Sequence, residues 1–96
     1  MNLKEAYKQK AEAELELARA RLVEFKAKAK SYTADTRLKY EIHVDELEHG
    51  IESAKARLKE LEESGEDVWE KVKEGVENAL EALRKVIRNI ADRFKE

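Results

Sequence analysis

The residues best placed to do chemistry are Glu46-Leu47-Glu48-His49, which hold a Glu-x-x-His spacing. On a helix, positions three apart share a face, so a carboxylate and an imidazole can reach one metal ion, as in di-iron helical bundles. Such centres need two of these motifs plus two further Glu, all directed into the bundle. Here Leu47 and Ile51 hold the inward phase of the segment, which turns His49 toward the polar face, so no metal site is expected. His43 falls beside Tyr40 and Val44 at the edge of the apolar seam and reads as a packed imidazole. The serines are Ser31, Ser53 and Ser64, and none has an orienting base with a glycine-rich oxyanion turn. There is no glycine-rich phosphate loop, and without cysteine neither a disulfide nor a thiolate metal site can form. The expectation is a chain that is not an enzyme, with no cofactor and no small-molecule substrate.

Two charged stretches bear on partners. Arg19, Arg21, Lys26, Lys28, Lys30, Arg37 and Lys39 form a basic block, but the whole chain carries 20 basic and 22 acidic residues, a net charge of −2 and a pI near 5.8. A phosphate-binding domain is normally net positive, so the block reads as a solvated face and no nucleic-acid partner is expected. Val86 through Lys95 sets an apolar face between Lys85, Arg88, Arg93 and Lys95 with Phe94 near its end. That pattern suits a peripheral, weakly bound anionic membrane surface, but the same face also fills the core of a bundle, which is the preferred reading.

These positions must be held by helices. Charged residues are 44% of the 96, aromatics are 6%, and proline is absent. The balance is that of exposed amphipathic helices in one domain spanning 1–96. No apolar run is long enough to span a bilayer, and the charged start at Lys4-Glu5 is unlike a secretory signal, so a cytoplasmic protein is expected.

Gly65 marks the clearest break. It is read as ending a helix in the left-handed conformation, with Ser64 and Asp67 at capping-box spacing and a third helix opening at 66. The third segment, 66–95, has a face about 140° wide. One seam runs through Trp69, Val76, Leu80, Leu83, Ile87, Ile90 and Phe94, and a second through Val68, Val72, Ala79, Leu83, Val86 and Ile90. Trp69, Val72, Val76, Leu80, Leu83, Ile87, Ile90 and Phe94 are the expected packing and interaction face. The middle segment, 35–63, carries one seam: Tyr40, Val44, Leu47, Ile51, Ala54, Leu58 and Leu61. The first, 3–30, carries Leu3, Tyr7, Ala11, Leu15, Ala18, Leu22, Phe25 and Ala29, continuing to Tyr32. Steps of three and four are those of an antiparallel coiled coil or bundle, all-α in class.

Residues 31–36 admit two readings. Ser31, Thr33, Asp35 and Thr36 favour a turn, which closes three segments into a bundle. The apolar stripes on either side nevertheless stay within about 30° of one another if the helix runs on. One helix of roughly 90 Å would then pair with a second chain as an antiparallel dimer.

Charge order supports the antiparallel contacts. Folding about 31–36 lays the basic block beside Glu41, Asp45, Glu46, Glu48 and Glu52. Folding about Gly65 brings Arg84, Lys85 and Arg88 toward the same acids, and Lys55, Arg57 and Lys59 toward Glu70, Glu74 and Glu77. Gly50 and Gly75 lie at seam flanks, where either a close helix approach or a kink accounts for them.

The run from Val68-Trp69-Glu70-Lys71-Val72 through Gly75-Val76 to Asn78-Ala79, with Ser64-Gly65 before it and Arg93-Phe94 after it, resembles the C-terminal part of small bacterial coiled-coil domain-containing proteins of unknown function. Their charged helical half is similar to Tyr40 through Leu61, although their further aromatic near Ala79 or Leu80 is missing here. The resemblance implies a helical fold in a bacterial cytoplasm and no particular activity. The expected role is structural: self-association as a homodimer, or binding to another helical protein. Lipid-surface binding through the C-terminal helix is the alternative.

Overall fold

Asn2 opens the first helix as the spacing of the early residues requires. Its side-chain Oδ1 accepts a hydrogen bond from the backbone N–H of Glu5 at 2.8 Å, satisfying one of the free donors at a helix start. In the computed structural model, which describes residues 2–94, three helices follow: α1 (Leu3–Ala29), α2 (Ala34–Glu63) and α3 (Trp69–Arg93). The expected end of the third helix at 95 lies outside the described residues.

The chain turns between α1 and α2 without glycine or proline. The N–H groups of Lys30, Ser31 and Tyr32 each donate to the carbonyl three residues back, which tightens the last turn. The Ser31 hydroxyl donates to the Lys28 carbonyl at 2.7 Å. Thr33 is extended, and its carbonyl accepts from Arg37 at 2.8 Å to start α2. Of the two readings for residues 31–36, the structure takes the turn. The long dimension of the molecule is 52 Å, against 19 and 18 Å across, so the fused helix of roughly 90 Å does not form.

The second connection departs from its expected chemistry. Gly65 does not adopt a positive φ. The Ser64 hydroxyl does not cap α3 but donates back to the Leu61 carbonyl at 2.7 Å, closing α2. Residues 65–68 form a turn in which the Gly65 carbonyl accepts from both Val68 and Trp69, so α3 begins at Trp69 rather than 66. The free carbonyls at the end of α2 are met from the far end of the chain: Lys4 Nζ donates to the Ser64 carbonyl and, at 3.3 Å, to that of Glu62. A lysine does here what the left-handed glycine was expected to do.

One contiguous apolar core joins the three helices. The α2 seam is buried throughout, from Tyr40 to Leu61. In α1, Tyr7, Ala11, Leu15, Ala18, Phe25 and Ala29 are buried, with Leu22 and Tyr32 packed against them. Leu3 is a correction. It continues the α1 seam by spacing, yet it is 75% exposed. Val68, placed in the second α3 seam, precedes that helix and is likewise exposed.

Gly50 is a point of close approach. A Cβ there would stand 2.9 Å from Cδ2 of Leu83 on α3, whereas one on Gly75 would meet only Cδ of Arg57, at 3.7 Å. Both glycines lie within unbroken helices.

Candidate interaction surface

All eight residues of the expected α3 face turn toward the core. Trp69, Val76, Leu80, Leu83 and Ile90 are buried, and Val72, Ile87 and Phe94 are half-buried against them. The face is thus occupied within the chain, by α2 most closely and by α1 less so. A lipid-surface role for α3 requires this face to leave the core. No described helix is long and apolar enough to cross a membrane.

Aromatic rings close one end of the bundle. Phe94 stands edge-on to Tyr40 with centroids 4.8 Å apart, and Tyr32 meets Tyr40 at 4.9 Å. Phe25 reaches Tyr40 from α1 at 6.3 Å. Edge-to-face pairs of this kind add about 0.5–1.5 kcal/mol each beyond simple burial. The His43 ring lies 5.9 Å from Phe94, with its Nδ1 3.6 Å from a Glu46 oxygen and 3.5 Å from the Asn89 amide. It is the packed edge histidine that its spacing indicates.

At the other end the Tyr7 hydroxyl donates to Glu77 Oε1 at 2.7 Å. Burial, followed by that bond to a carboxylate, pushes the Tyr7 phenol well above its ordinary value. Lys73 lies 5.0 Å from the centre of the Tyr7 ring and 5.9 Å from that of Trp69, in range of both π faces.

The Glu46–His49 pair is not brought together with other ligands. His49 is exposed and its Nδ1 donates to the Asp45 carbonyl at 2.8 Å, while Glu46 lies beside His43. Among the described residues no group of three or more His, Asp or Glu side chains could hold a metal ion. Ser31 and Ser64 donate to backbone carbonyls at helix ends.

The charge blocks meet in part. Lys26 of α1 pairs with Glu48 of α2 at 2.8 Å, which holds that carboxyl below the usual range, and Lys8 does the same to Glu62 at 2.7 Å. The rest of the expected pattern is corrected. Arg84 does not reach the acidic run of α2 but makes a two-pronged contact with Glu14 of α1, at 2.8 and 2.9 Å. Lys85 pairs with Glu81 within α3, and Arg57 with Glu60 within α2. Arg84 sits on the flank of α3 that also carries Lys73 and Glu77, and this flank faces α1. Block order along the chain fixes which helices are antiparallel but not how each is rotated. Within the basic block, Arg19, Arg21 and Arg37 are paired with Glu16, Glu24 and Glu41 of their own helices.

Spacing alone did not single out the outer faces. Leu17, Val23, Leu38 and Ile42 are exposed although all are large and apolar. Open grooves run along α1. The one shared with α2 has charged walls, Glu16, Arg19, Glu52 and Lys55 among them, over Leu15 and Leu58. One shared with α3 is smaller, about 260 Å³, with Ala18, Leu80, Leu83 and Ile87 beside the charged Glu14, Arg21 and Arg84. Both are troughs open to solvent along the helices. No protein-family model, curated protein or solved structure matches the chain.

Proposed function

We propose that this chain is a non-enzymatic helical structural or interaction protein that works by self-association or by binding another helix. One observation carries the reading. Leu3, Leu17, Val23, Leu38 and Ile42 remain 62% to 75% exposed on the outside of α1 and α2, while the three helices already share a closed core. A single exposed leucine is ordinary, but several on the outer faces of packed helices give a further helix something to pack against. The bacterial cytoplasmic setting rests on the resemblance of the Val68–Ala79 run alone.

Sedimentation equilibrium from low micromolar to millimolar concentration tests the self-association arm. The expected result is a mass that climbs above 11.1 kDa with concentration. A mass fixed at the monomer value across the range rejects it.

A further inference from the structure

The bundle leaves the outer face of α1 uncovered. Along it Leu3, Lys10, Leu17 and Glu24 stand seven residues apart, and three positions on from each stand Ala6, Ala13, Ala20 and Ala27. All eight are exposed. Steps of three and four make this a second coiled-coil seam, on a different side of α1 from the buried one through Tyr7, Ala11 and Phe25. Leu17, 67% exposed, borders the groove that α1 shares with α3, which is lined by Ala18, Leu80, Leu83 and Ile87 together with Arg21 and the Glu14–Arg84 pair. Of the three helix pairs, α1 and α3 pack least closely. A protruding leucine therefore lies beside a trough lined by apolar side chains and by the Glu14–Arg84 pair.

Charge on the same face identifies the occupant. Lys10 and Glu24 stand seven residues to either side of Leu17. Lys10 makes no ion pair among the described residues, and Glu24 meets only Arg21 of its own helix, at 3.6 Å. When two copies of α1 run antiparallel with Leu17 near a two-fold axis, Lys10 of each copy comes opposite Glu24 of the other. Run parallel, the same faces set Lys10 against Lys10 and Glu24 against Glu24. A two-fold interface uses one patch twice, so the patch must complement itself. This one does so in a single orientation.

We infer that the outer face of α1 is the contact surface of an antiparallel homodimer, with Leu17 seated over the α1/α3 groove of the second copy and Lys10–Glu24 contacts setting the orientation. The inference rests on the self-association reading above and names its surface.

The test is sedimentation equilibrium of the full chain beside Leu17→Glu, Lys10→Glu, Glu24→Lys and the double charge swap Lys10→Glu/Glu24→Lys. All three sites are exposed, and circular dichroism checks that each variant keeps its helices. Each single reversal turns two attractive contacts into two repulsive ones and weakens the dimer by about tenfold. Leu17→Glu weakens it by about tenfold or more. The double swap has the wild-type charge composition and restores affinity to within about threefold of wild type. A wild-type chain that stays monomeric overturns the self-association reading and this inference together. A wild-type dimer that is indifferent to the single reversals, or one that the double swap weakens further, overturns the α1 surface and leaves the reading standing.

Discussion

Gly50 of α2 and Leu83 of α3 are fitted to one another: a methyl group on the glycine would stand 2.9 Å from Cδ2 of the leucine. Leu83 is 3% exposed, so it has little room to withdraw. Gly75, by contrast, faces only the flexible stem of Arg57, at an ordinary contact distance. In a helix, alanine is favoured over glycine by about 1 kcal/mol. Gly75→Ala therefore stabilises the fold by up to about 1 kcal/mol. Gly50→Ala gains the same propensity but crowds a packed core, which costs about 1–3 kcal/mol, and the net change is a loss. Urea unfolding of the two variants checks the opposite signs. A gain at both positions contradicts the close approach.

Gly65 gives a prediction in which sequence expectation and structure disagree. A left-handed glycine resists alanine, at a cost of about 1–2 kcal/mol. The structure has no positive φ at this position and nothing within 4 Å of an added Cβ. Gly65→Ala should then leave the fold intact and raise its stability by about 0.4–1 kcal/mol, by restricting the unfolded chain. A lower urea midpoint counts against the described turn.

Leu83 belongs to both seams of α3, and each places it in the core. Leu83→Asp removes a buried side chain and leaves a carboxylate in an apolar site, since among the described residues no buried polar or charged residue accompanies the core cluster. The combined loss is about 5 kcal/mol or more, comparable to the whole stability of a small domain. Far-UV circular dichroism should show the helices lost. A variant that retains its helicity and melting temperature contradicts the burial of Leu83.

The seams were readable because burial in a bundle repeats with the helix itself. Tyr40 through Leu61 alternate by four and three, and every one of them is buried. The turn at residues 30–33 was not decided, since local propensity favoured it while the phase of the stripes allowed the helix to continue. What accompanies the turn is distant in sequence: Phe94 packs against Tyr32 and Tyr40 across the end of the bundle. The end of α2 at 63 is legible in the spacing, but what caps it is not, because Lys4 stands 60 residues from the Ser64 carbonyl that it meets. For the candidate surface, the α3 face was legible as apolar, but periodicity cannot say whether a face is filled by its own chain. The outer stripe of α1 is hard to see in the sequence because its alanines read as helix-forming residues.

The Tyr7–Glu77 hydrogen bond predicts an alkaline dependence with a definite sign. Burial, with the Glu77 carboxylate beside it, holds the folded phenol protonated above the value of 10.0 at which an exposed phenol ionises. The unfolded chain therefore releases this proton first as pH rises. Tyr7 helps the folded state fully below about pH 10, and its contribution is lost as pH climbs from there through the raised folded value. Tyr7→Phe removes both the titration and the donor to Glu77, costing about 0.5–1.5 kcal/mol at neutral pH. Other groups titrate alike in both proteins, so the gap between wild type and variant should be widest near neutrality and shrink above pH 10. Urea unfolding followed from pH 7 to 11 measures that gap. A difference that stays constant across the range contradicts a protonated Tyr7 held by burial and by Glu77.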